Sequence, residues 1–406
     1  MKLNSRCLII FFSIFILSFI CLTPMKYAFA ESGDYLTQDQ AEKIALKWAE
    51  KNHEYHVSIK ETIPIYKSLD NISAYSVSFS NGGQDAGYII INADKREQTF
   101  REFSLKGKDI YTNIFNKNNF QNELNFNNKV LYENGVFDYS AEIIKNKEKA
   151  YLSTDGRIYS KDKFASEIIK NTVHKPNINA LDESDSYLDG IINNNDSVFN
   201  GLTLESEKKL SGISTIQSQT DNGLYVYPFV MDDLRNGTNL GNCALTAATN
   251  IIGYYYRGRG MNSLIIPPSN TFDYMQETYD RLVQLSGFNE YGSSGLSDIT
   301  STDAIKDLAK ERGYSPSTSK YWLNLWSDFK RDLDNNWPVY TSIKGYNPVE
   351  NKKMSHAMVS VGYRIYTNGS KFLNVIDGHM DSLDRFINFS DSRFDYVKGV
   401  VVKINA

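Results

Sequence analysis

Three side chains in the C-terminal half of this 406-residue chain have types suited to nucleophilic chemistry: Cys243, His356 and Asp377. A cysteine attacks acyl carbons as its thiolate, so its pKa must be lowered, which a helix N-terminus and a neighbouring imidazole can do. A carboxylate can then orient the imidazole and stabilise its cation. These residues therefore predict a thiol nucleophile, a general base and acid, and a group that orients the base.

The elements around these residues are predicted to bring them to one site. Cys243 precedes an apolar, small-residue run at 244–256 that is typical of a helix packed closely on a sheet. His356 begins a strand with one apolar face, and Asp377 ends the next strand, so antiparallel pairing would bring the two together. Two further helices and two further strands are predicted at 302–312, 326–335, 339–343 and 400–404. Helices followed by antiparallel strands indicate an α+β fold.

The N-terminal part of the chain predicts a smaller α+β unit at 31–110. Thr37 and Gln40 have the spacing of a capping box before a helix, and Asn-Gly-Gly at 81–83 indicates a hairpin between two strands. From 111 to 222 the chain is richer in Asn, Lys and Ser, which indicates a linker and activation region.

The first thirty residues predict a secretory signal peptide. A basic start precedes an apolar run at 7–22, and a small-x-small cleavage pattern ends at Ala30. The run is shorter than the about 20 residues that a membrane span needs. We therefore expect cleavage near Ala30, secretion, and no stable membrane anchor. Cleavage also removes Cys7 and Cys21, which leaves Cys243 as the single cysteine.

Charge and cysteine content limit the remaining function classes. The chain has 44 basic and 48 acidic residues, a net charge of −4 and no basic block, which argues against a nucleic-acid partner. Three cysteines cannot build a Cys-rich zinc site or a disulfide scaffold. A cation could bind at Asp377, His379, Asp381 and Asp384, but a solvated acidic turn is the favoured interpretation. We therefore expect no metal or organic cofactor.

The order of a helix-borne Cys, a strand-borne His followed by Ala, and a strand-ending Asp resembles the papain-like cysteine peptidases. Residues 241–255 are similar to the nucleophile helix of streptopain and of the C39-like peptidases. Residues 333–340 and 355–363 resemble the C39-like pattern of a proline-led strand before the histidine strand. Residues 86–96 look like part of the inhibitory propeptide of streptopain-type proteases.

This resemblance implies an α+β, papain-like catalytic domain at 223–406, preceded by an intramolecular inhibitory propeptide at 31–110 that covers the cleft. Papain-like enzymes usually carry a Gln about six residues before the Cys as an oxyanion donor, but that position is Gly237 here. Asn239 is the substitute donor that the sequence offers, beside the backbone N–H of Cys243. Asn374 is the alternative group to orient the His, although strand alternation places it on the face opposite Asp377.

We therefore expect a secreted cysteine endopeptidase made as a zymogen. It would cleave protein or peptide substrates through a thioester on Cys243, after activation by cleavage within 176–222. Two alternatives stay open. One is an amidase or transglutaminase-type acyl transferase with the same triad. The other is a catalytically inactive papain-fold binding or adhesion protein, which the missing Gln favours.

Overall fold

The computed structural model describes most of the chain after the first 33 residues. The described segments are 34–68, 71–117, 129–168, 202–210, 230–234, 236–265, 273–321, 325–380 and 384–405. The predicted signal peptide and most of the predicted cleavage region therefore lie outside the described residues. Leu36–Ala406 forms one compact unit. No helix in the described segments has the length and apolar character needed to cross a membrane.

Eight α-helices and one short 3₁₀-helix, Asn262–Leu264, lie in these segments. The α-helices are α1 Gln38–Asn52, α2 Ile110–Lys117, α3 Lys161–Ile168, α4 Met231–Leu234, α5 Cys243–Gly258, α6 Asp273–Ser286, α7 Asp298–Glu311 and α8 Trp326–Asp334. The predicted helix at 244–256 is confirmed as α5, and those predicted at 302–312 and 326–335 as α7 and α8, with small shifts at their ends.

Fifteen strands are described, and fourteen of them follow one another in a single mixed sheet. They are β1 Ser58–Ser68, β2 Asn71–Asn81, β3 Gln84–Asn92, β4 Phe100–Ser104, β5 Leu131–Glu133, β6 Tyr139–Lys145, β7 Glu148–Ser153, β8 Ile158–Ser160, β9 Leu204–Lys209, β10 Ser315–Lys320, β11 Val339–Asn347, β12 Lys352–Tyr366, β13 Lys371–Ile376, β14 Arg385–Asn388 and β15 Phe394–Asn405. Their order is β10-β15-β11-β12-β13-β14-β4-β3-β2-β1-β5-β6-β7-β8, and β9 pairs with β12. The predicted α+β class is confirmed.

Helix α1 packs on the N-terminal strands as its sequence pattern predicts. The Thr37 hydroxyl accepts from the N–H of Gln40 at 3.3 Å, and the Gln40 side chain accepts from the N–H of Thr37 at 2.9 Å. The helix buries one stripe, formed by Ala41, Ile44, Ala45, Trp48 and Ala49. The capping box, and the hairpin between β2 and β3, are thereby confirmed.

Residues 129–168 correct the linker interpretation. They form strands β5 to β8 and helix α3, with a small aromatic cluster of Tyr132, Tyr151, Tyr159 and Phe164. Strand β5 pairs in parallel with β1, so this segment extends the N-terminal sheet. The Asn- and Lys-rich composition hid it, because the apolar residues that it buries are spread thinly over four short strands.

The N-terminal and C-terminal strands share one sheet at the pairing of β4 with β14. Phe103 lies opposite Phe386 in this pair, and the two rings are stacked with centroids 4.8 Å apart. Phe372 on β13 packs against Phe103 at 5.1 Å. Strand β9, which precedes α4 in the chain, adds to this sheet by antiparallel pairing with β12. A Cβ at Gly362 would lie 2.2 Å from the Lys208 carbonyl oxygen, so this approach requires glycine.

Candidate active site

Cys243 is the first residue of α5, which packs on β11 and β12. The helix is buried from Ala244 to Tyr255, and its small residues allow the close approach to the sheet. The carbonyl oxygen of Asn242 accepts from Leu245 and Thr246 at 3.1 and 3.0 Å, which starts the first turn. The half-buried Cys243 thiol therefore lies at the positive end of the helix.

His356 lies in β12, opposite Ile343 of β11, and its side chain meets the Cys243 thiol. The ring Nε2 is 2.6 Å from the backbone carbonyl oxygen of Asp377. A carbonyl can only accept, so Nε2 carries a hydrogen and Nδ1 is left for the thiol. The two strands therefore fix both the tautomer and the direction of the imidazole.

The contact between Cys243 and His356 lowers the pKa of the thiol and raises the pKa of the imidazole. Burial alone raises the pKa of the Cys243 thiol, but the hydrogen bond and charge of His356, with the N–H groups of Ala357 and Ala244, lower it below its ordinary value. Burial alone lowers the pKa of His356, but its contact with Cys243, together with the Asp377 charge and carbonyl, raises it above its ordinary value. The contact therefore shifts the pKa of the thiol and that of the imidazole in the directions that stabilise thiolate and imidazolium.

Asp377 holds His356 in a different way from the one that the sequence predicts. The ring is held by the Asp377 backbone carbonyl, whereas the carboxylate binds Arg385 and accepts from the N–H groups of His379 and Met380, each at 3.1 Å. The group of Asp377 that holds the ring is therefore its backbone carbonyl, whereas the sequence-based prediction assigned the orienting role to its carboxylate. The chain turns immediately after β13, which aims the carbonyl rather than the side chain at β12.

His379 is a site residue whose place the sequence did not reveal. Its ring stacks on that of His356, with centroids 4.3 Å apart and planes within 13°. Asn374, the alternative orienting residue, is fully buried, and its amide atoms meet no hydrogen-bond partner among the described residues. The stack covers one face of the His356 ring, and the orienting role of Asn374 has no support.

Asn239 is not placed as an oxyanion donor. Its amide nitrogen donates to the carbonyl oxygens of Asn289 at 2.8 Å and Ser294 at 3.0 Å, which uses both hydrogens. Its side-chain oxygen accepts from the N–H of Gly241 at 2.8 Å. Asn239 instead fixes the loop that leads into Cys243, which corrects the sequence-based assignment.

The structure also gives a reason for glycine at the position where a Gln is expected. A Cβ at Gly237 would lie 2.2 Å from the carbonyl oxygen of Glu290, so no side chain fits without moving this loop. Backbone N–H groups at the start of α5 can instead donate to the oxyanion of an acyl group bound to Cys243.

Cys243 and His356 open onto a cleft of about 580 Å³. Four of its lining residues come from the N-terminal part of the chain: Val136, Asp138, Asp155 and Arg157. Others come from the C-terminal part, among them Met231, Asn239, Asp298, Ser342, Met354 and His379. The N-terminal wall of the cleft therefore lies in 136–157, whereas the sequence placed the covering segment at 31–110.

Asp138 and Asp155 form a buried acidic pair in this wall. Arg157 Nε donates to Asp155 at 2.6 Å, and its Nη2 lies 3.7 Å from Asp138, which also accepts from Thr154 at 2.7 Å. Burial and the Asp155 charge raise the pKa of Asp138 to about 7, although Arg157 opposes them. In the described segments, no group of three or more His, Cys, Asp or Glu side chains is arranged to hold a metal ion.

Residues 215–385 match the model of the Peptidase_C39 like family. This match supports a cysteine peptidase. Cys243, His356 and Asp377 all lie within the matched residues, and Arg385 is the last of them. No curated protein matches the chain. The match leaves out the N-terminal strands, including the segment that contributes one wall of the cleft.

Replacing Asp138 with asparagine should remove a pH-dependent part of the stability. Because the pKa of Asp138 is raised to about 7 in the folded chain, its contribution is fully present below the unfolded pKa and is lost as pH rises through about 7. Asp138→Asn cannot ionise, so its free energy of unfolding at pH 8 should exceed that of the wild type by about 1 kcal/mol or more.

Urea unfolding at pH 5 and pH 8 measures this difference. Asp94→Asn is the control, because Asp94 makes its ion pair with the partly exposed Arg96, away from the cleft lining. An Asp138→Asn variant that loses as much stability between the two pH values as the wild type contradicts the expectation.

Proposed function

We propose that the chain is a secreted cysteine endopeptidase made as a zymogen, with Cys243 as nucleophile and His356 as general base and acid. The single observation that carries this proposal is that Cys243, at the start of α5, meets in one cleft the His356 ring that the Asp377 carbonyl orients. A pair of this kind in an open cleft is suited to attack on an acyl carbon.

The reaction would proceed in two halves. The Cys243 thiolate adds to the scissile carbonyl, and the tetrahedral oxyanion is met by the N–H of Cys243 at the start of α5. His356 gives its proton to the leaving amine as the carbon–nitrogen bond breaks, which leaves a thioester. His356 then takes a proton from water, which attacks the thioester, and the thiolate is released with the acid product.

The proposal that the chain is made as a zymogen is supported by the N-terminal residues that line the cleft. Asp138, Asp155 and Arg157 stand along the space that a peptide must enter, on residues that precede the Cys243 helix. We assign the covering role to 129–160, in place of 31–110, and keep activation by cleavage within 176–222. Secretion draws on the signal-peptide pattern that ends at Ala30.

The experiment that tests the peptidase proposal also distinguishes two other functions, which are acyl transfer to an amine and binding without catalysis. Transfer of the acyl group to an amine in place of water would indicate an amidase or transglutaminase-type enzyme. A Cys243 that resists alkylation at neutral pH would indicate a binding or adhesion protein, for which the glycine at 237 is the motivating feature.

The proposal is tested with protein that lacks residues 1–30, incubated beside the same protein carrying Cys243→Ala. We expect the wild type to shorten to a fragment that begins within 176–222, and to be labelled stoichiometrically by a thiol-directed epoxide, because the contact with His356 lowers the pKa of its thiol. The alanine variant should stay full length and unlabelled.

If the wild type stays full length, limited proteolysis in trans supplies the cleavage, and the freed protein is labelled again. Absence of labelling in both the intact and the cleaved wild type would refute the nucleophile assignment. Labelling without hydrolysis of any peptide, but with incorporation of an added amine, would replace the peptidase by an acyl transferase.

A further inference from the structure

Arg385 lies at the junction between the N-terminal and C-terminal strands. It begins β14, opposite Ser104 of β4, and its side chain is 1% exposed. Nη2 donates to the two carboxylate oxygens of Glu102 at 3.0 and 2.9 Å, and Nη1 donates to the carboxylate of Asp377. The guanidinium also lies 4.7 Å from the ring of Phe137, in the N-terminal segment beside the cleft.

Glu102 is held at this junction by more than Arg385. Its side chain is fully buried, and it accepts from the hydroxyl groups of Tyr88 at 3.0 Å and Tyr139 at 3.4 Å. A buried carboxylate is costly unless it is paired and hydrogen-bonded, and Glu102 meets both conditions. The cluster therefore sets two carboxylates, those of Glu102 and Asp377, against the one guanidinium of Arg385 inside the sheet.

This cluster reaches His356 through a single residue. The Asp377 carboxylate binds Arg385, and the Asp377 carbonyl holds the His356 ring at 2.6 Å. Because both groups belong to one residue at the end of β13, a displacement of the carboxylate also displaces the carbonyl. The His356 ring is thus linked, through Asp377 and Arg385, to a carboxylate that β4 supplies.

We propose that Glu102 is a positioning residue of the active site, acting through Arg385 and Asp377 on His356. Strand β4 is then a working part of the site, and its pairing with β14 outlasts the activating cleavage even where 129–160 no longer covers the cleft. This inference rests on the proposed function, since it assigns a second role to the same part of the chain.

Glu102 would act by geometry and by charge. Loss of its carboxylate leaves Nη2 of Arg385 without this acceptor, so the guanidinium, and with it the Asp377 carboxylate, is held less rigidly. It also removes a negative charge that favours the His356 imidazolium. The titratable groups that face His356 are Cys243 from α5, and Asp377 and His379 from the turn after β13. Asp138, Asp155 and Arg157 line the same cleft from the N-terminal side.

The experiment titrates the His356 ring by NMR in a Cys243→Ala background, where neither hydrolysis nor the thiol contributes. The resonance is assigned with His356→Gln. Adding Glu102→Gln should lower the pKa of His356 by about half a unit, because a negative charge two groups away is lost. In protein that retains Cys243, the same change should reduce peptide hydrolysis about tenfold through misorientation of the base.

Glu133→Gln is the matched control. Glu133 is also a buried carboxylate of the N-terminal sheet that pairs with an arginine, Arg101, at 3.0 Å. None of its described ion pairs or hydrogen bonds involves Asp377, so it should destabilise the fold while the His356 titration stays at the parent value. Glu102→Asp is the milder variant, expected to lower the pKa in the same direction by a smaller amount.

A His356 titration that is the same in the parent, Glu102→Gln and Glu102→Asp overturns the positioning role. The same lowering in Glu133→Gln also overturns it, since the effect would then follow any loss of buried charge. If Glu102→Gln does not fold, the proposal is judged from Glu102→Asp alone, and an unchanged pKa of His356 in that variant overturns it. Failure of the wild type to hydrolyse peptides refutes the proposed function, whereas the titration still decides the role of Glu102.

Discussion

Replacing His356 with alanine is expected to reduce peptide hydrolysis at least about 10³-fold, because the general base and acid is lost. It should also slow alkylation of Cys243 at pH 6. In the intact site the contact with His356 lowers the pKa of the thiol against the opposing effect of burial. Without the imidazole, burial acts with less opposition, so the pKa of Cys243 rises and little thiolate remains at that pH.

Initial rates of peptide hydrolysis and of iodoacetamide alkylation, followed from pH 4 to 9, measure both effects. The wild-type hydrolysis should rise with ionisation of Cys243 at a pH below the usual range of a thiol. It should fall again with loss of the His356 proton above the usual range of an imidazole. His379→Ala is the control, since it removes the stacked ring and leaves the thiol contact; its loss should stay within about tenfold. Equal losses in both variants would contradict the assignment.

Replacing Arg385 with alanine is expected to lower the free energy of unfolding by about 3–5 kcal/mol, the usual cost of breaking a buried ion pair. The side chains of Glu102, Asp377 and Arg385 are each at most 1% exposed. Removal of the guanidinium leaves two carboxylates without their cation and also removes the packing on Phe137. Their charges raise the pKa of Arg385 well above its ordinary value, although burial opposes this, so its positive charge is permanent.

Urea unfolding at pH 7, in a Cys243→Ala background that prevents self-cleavage, gives the free energy. Lys209→Ala is the comparison, because Lys209 pairs with Asp384 at 2.5 Å while its side chain is 35% exposed, and such a pair contributes about 1 kcal/mol or less. If Arg385→Ala costs no more than Lys209→Ala, the cluster does not stabilise the junction between β4 and β14.

The sequence was most informative where one local pattern determines one element. The small-residue helix after Cys243, the capping box before α1 and the strands around His356 all follow from spacing over a few residues. The pairing of Cys243 with His356 was predicted in another way, from residue types suited to nucleophilic chemistry and from the papain-like order of Cys, His and Asp along the chain.

Features that depend on which strands meet were not predictable from the sequence. Whether the carbonyl or the carboxylate of Asp377 faces His356 depends on a turn of a few residues. Arg385 looks like an ordinary surface cation until β14 is seen to pair with β4. The wall at 136–157 was hidden because several of its buried residues are polar, such as Ser140 and Ser153, so its composition resembles that of a linker.

The position of the activating cleavage relative to strand β9 decides which of the two fragments keeps that strand. The strand occupies 204–209, inside the proposed cleavage region, and it hydrogen-bonds to β12, the strand that carries His356. Cleavage at 176–201 would leave β9 in the same fragment as its partner. Cleavage at 211–222 would instead leave β9 on the N-terminal fragment, as a donated strand that completes the other fragment's sheet. The two products would then be interlocked by strand complementation and would separate only when that sheet unfolds.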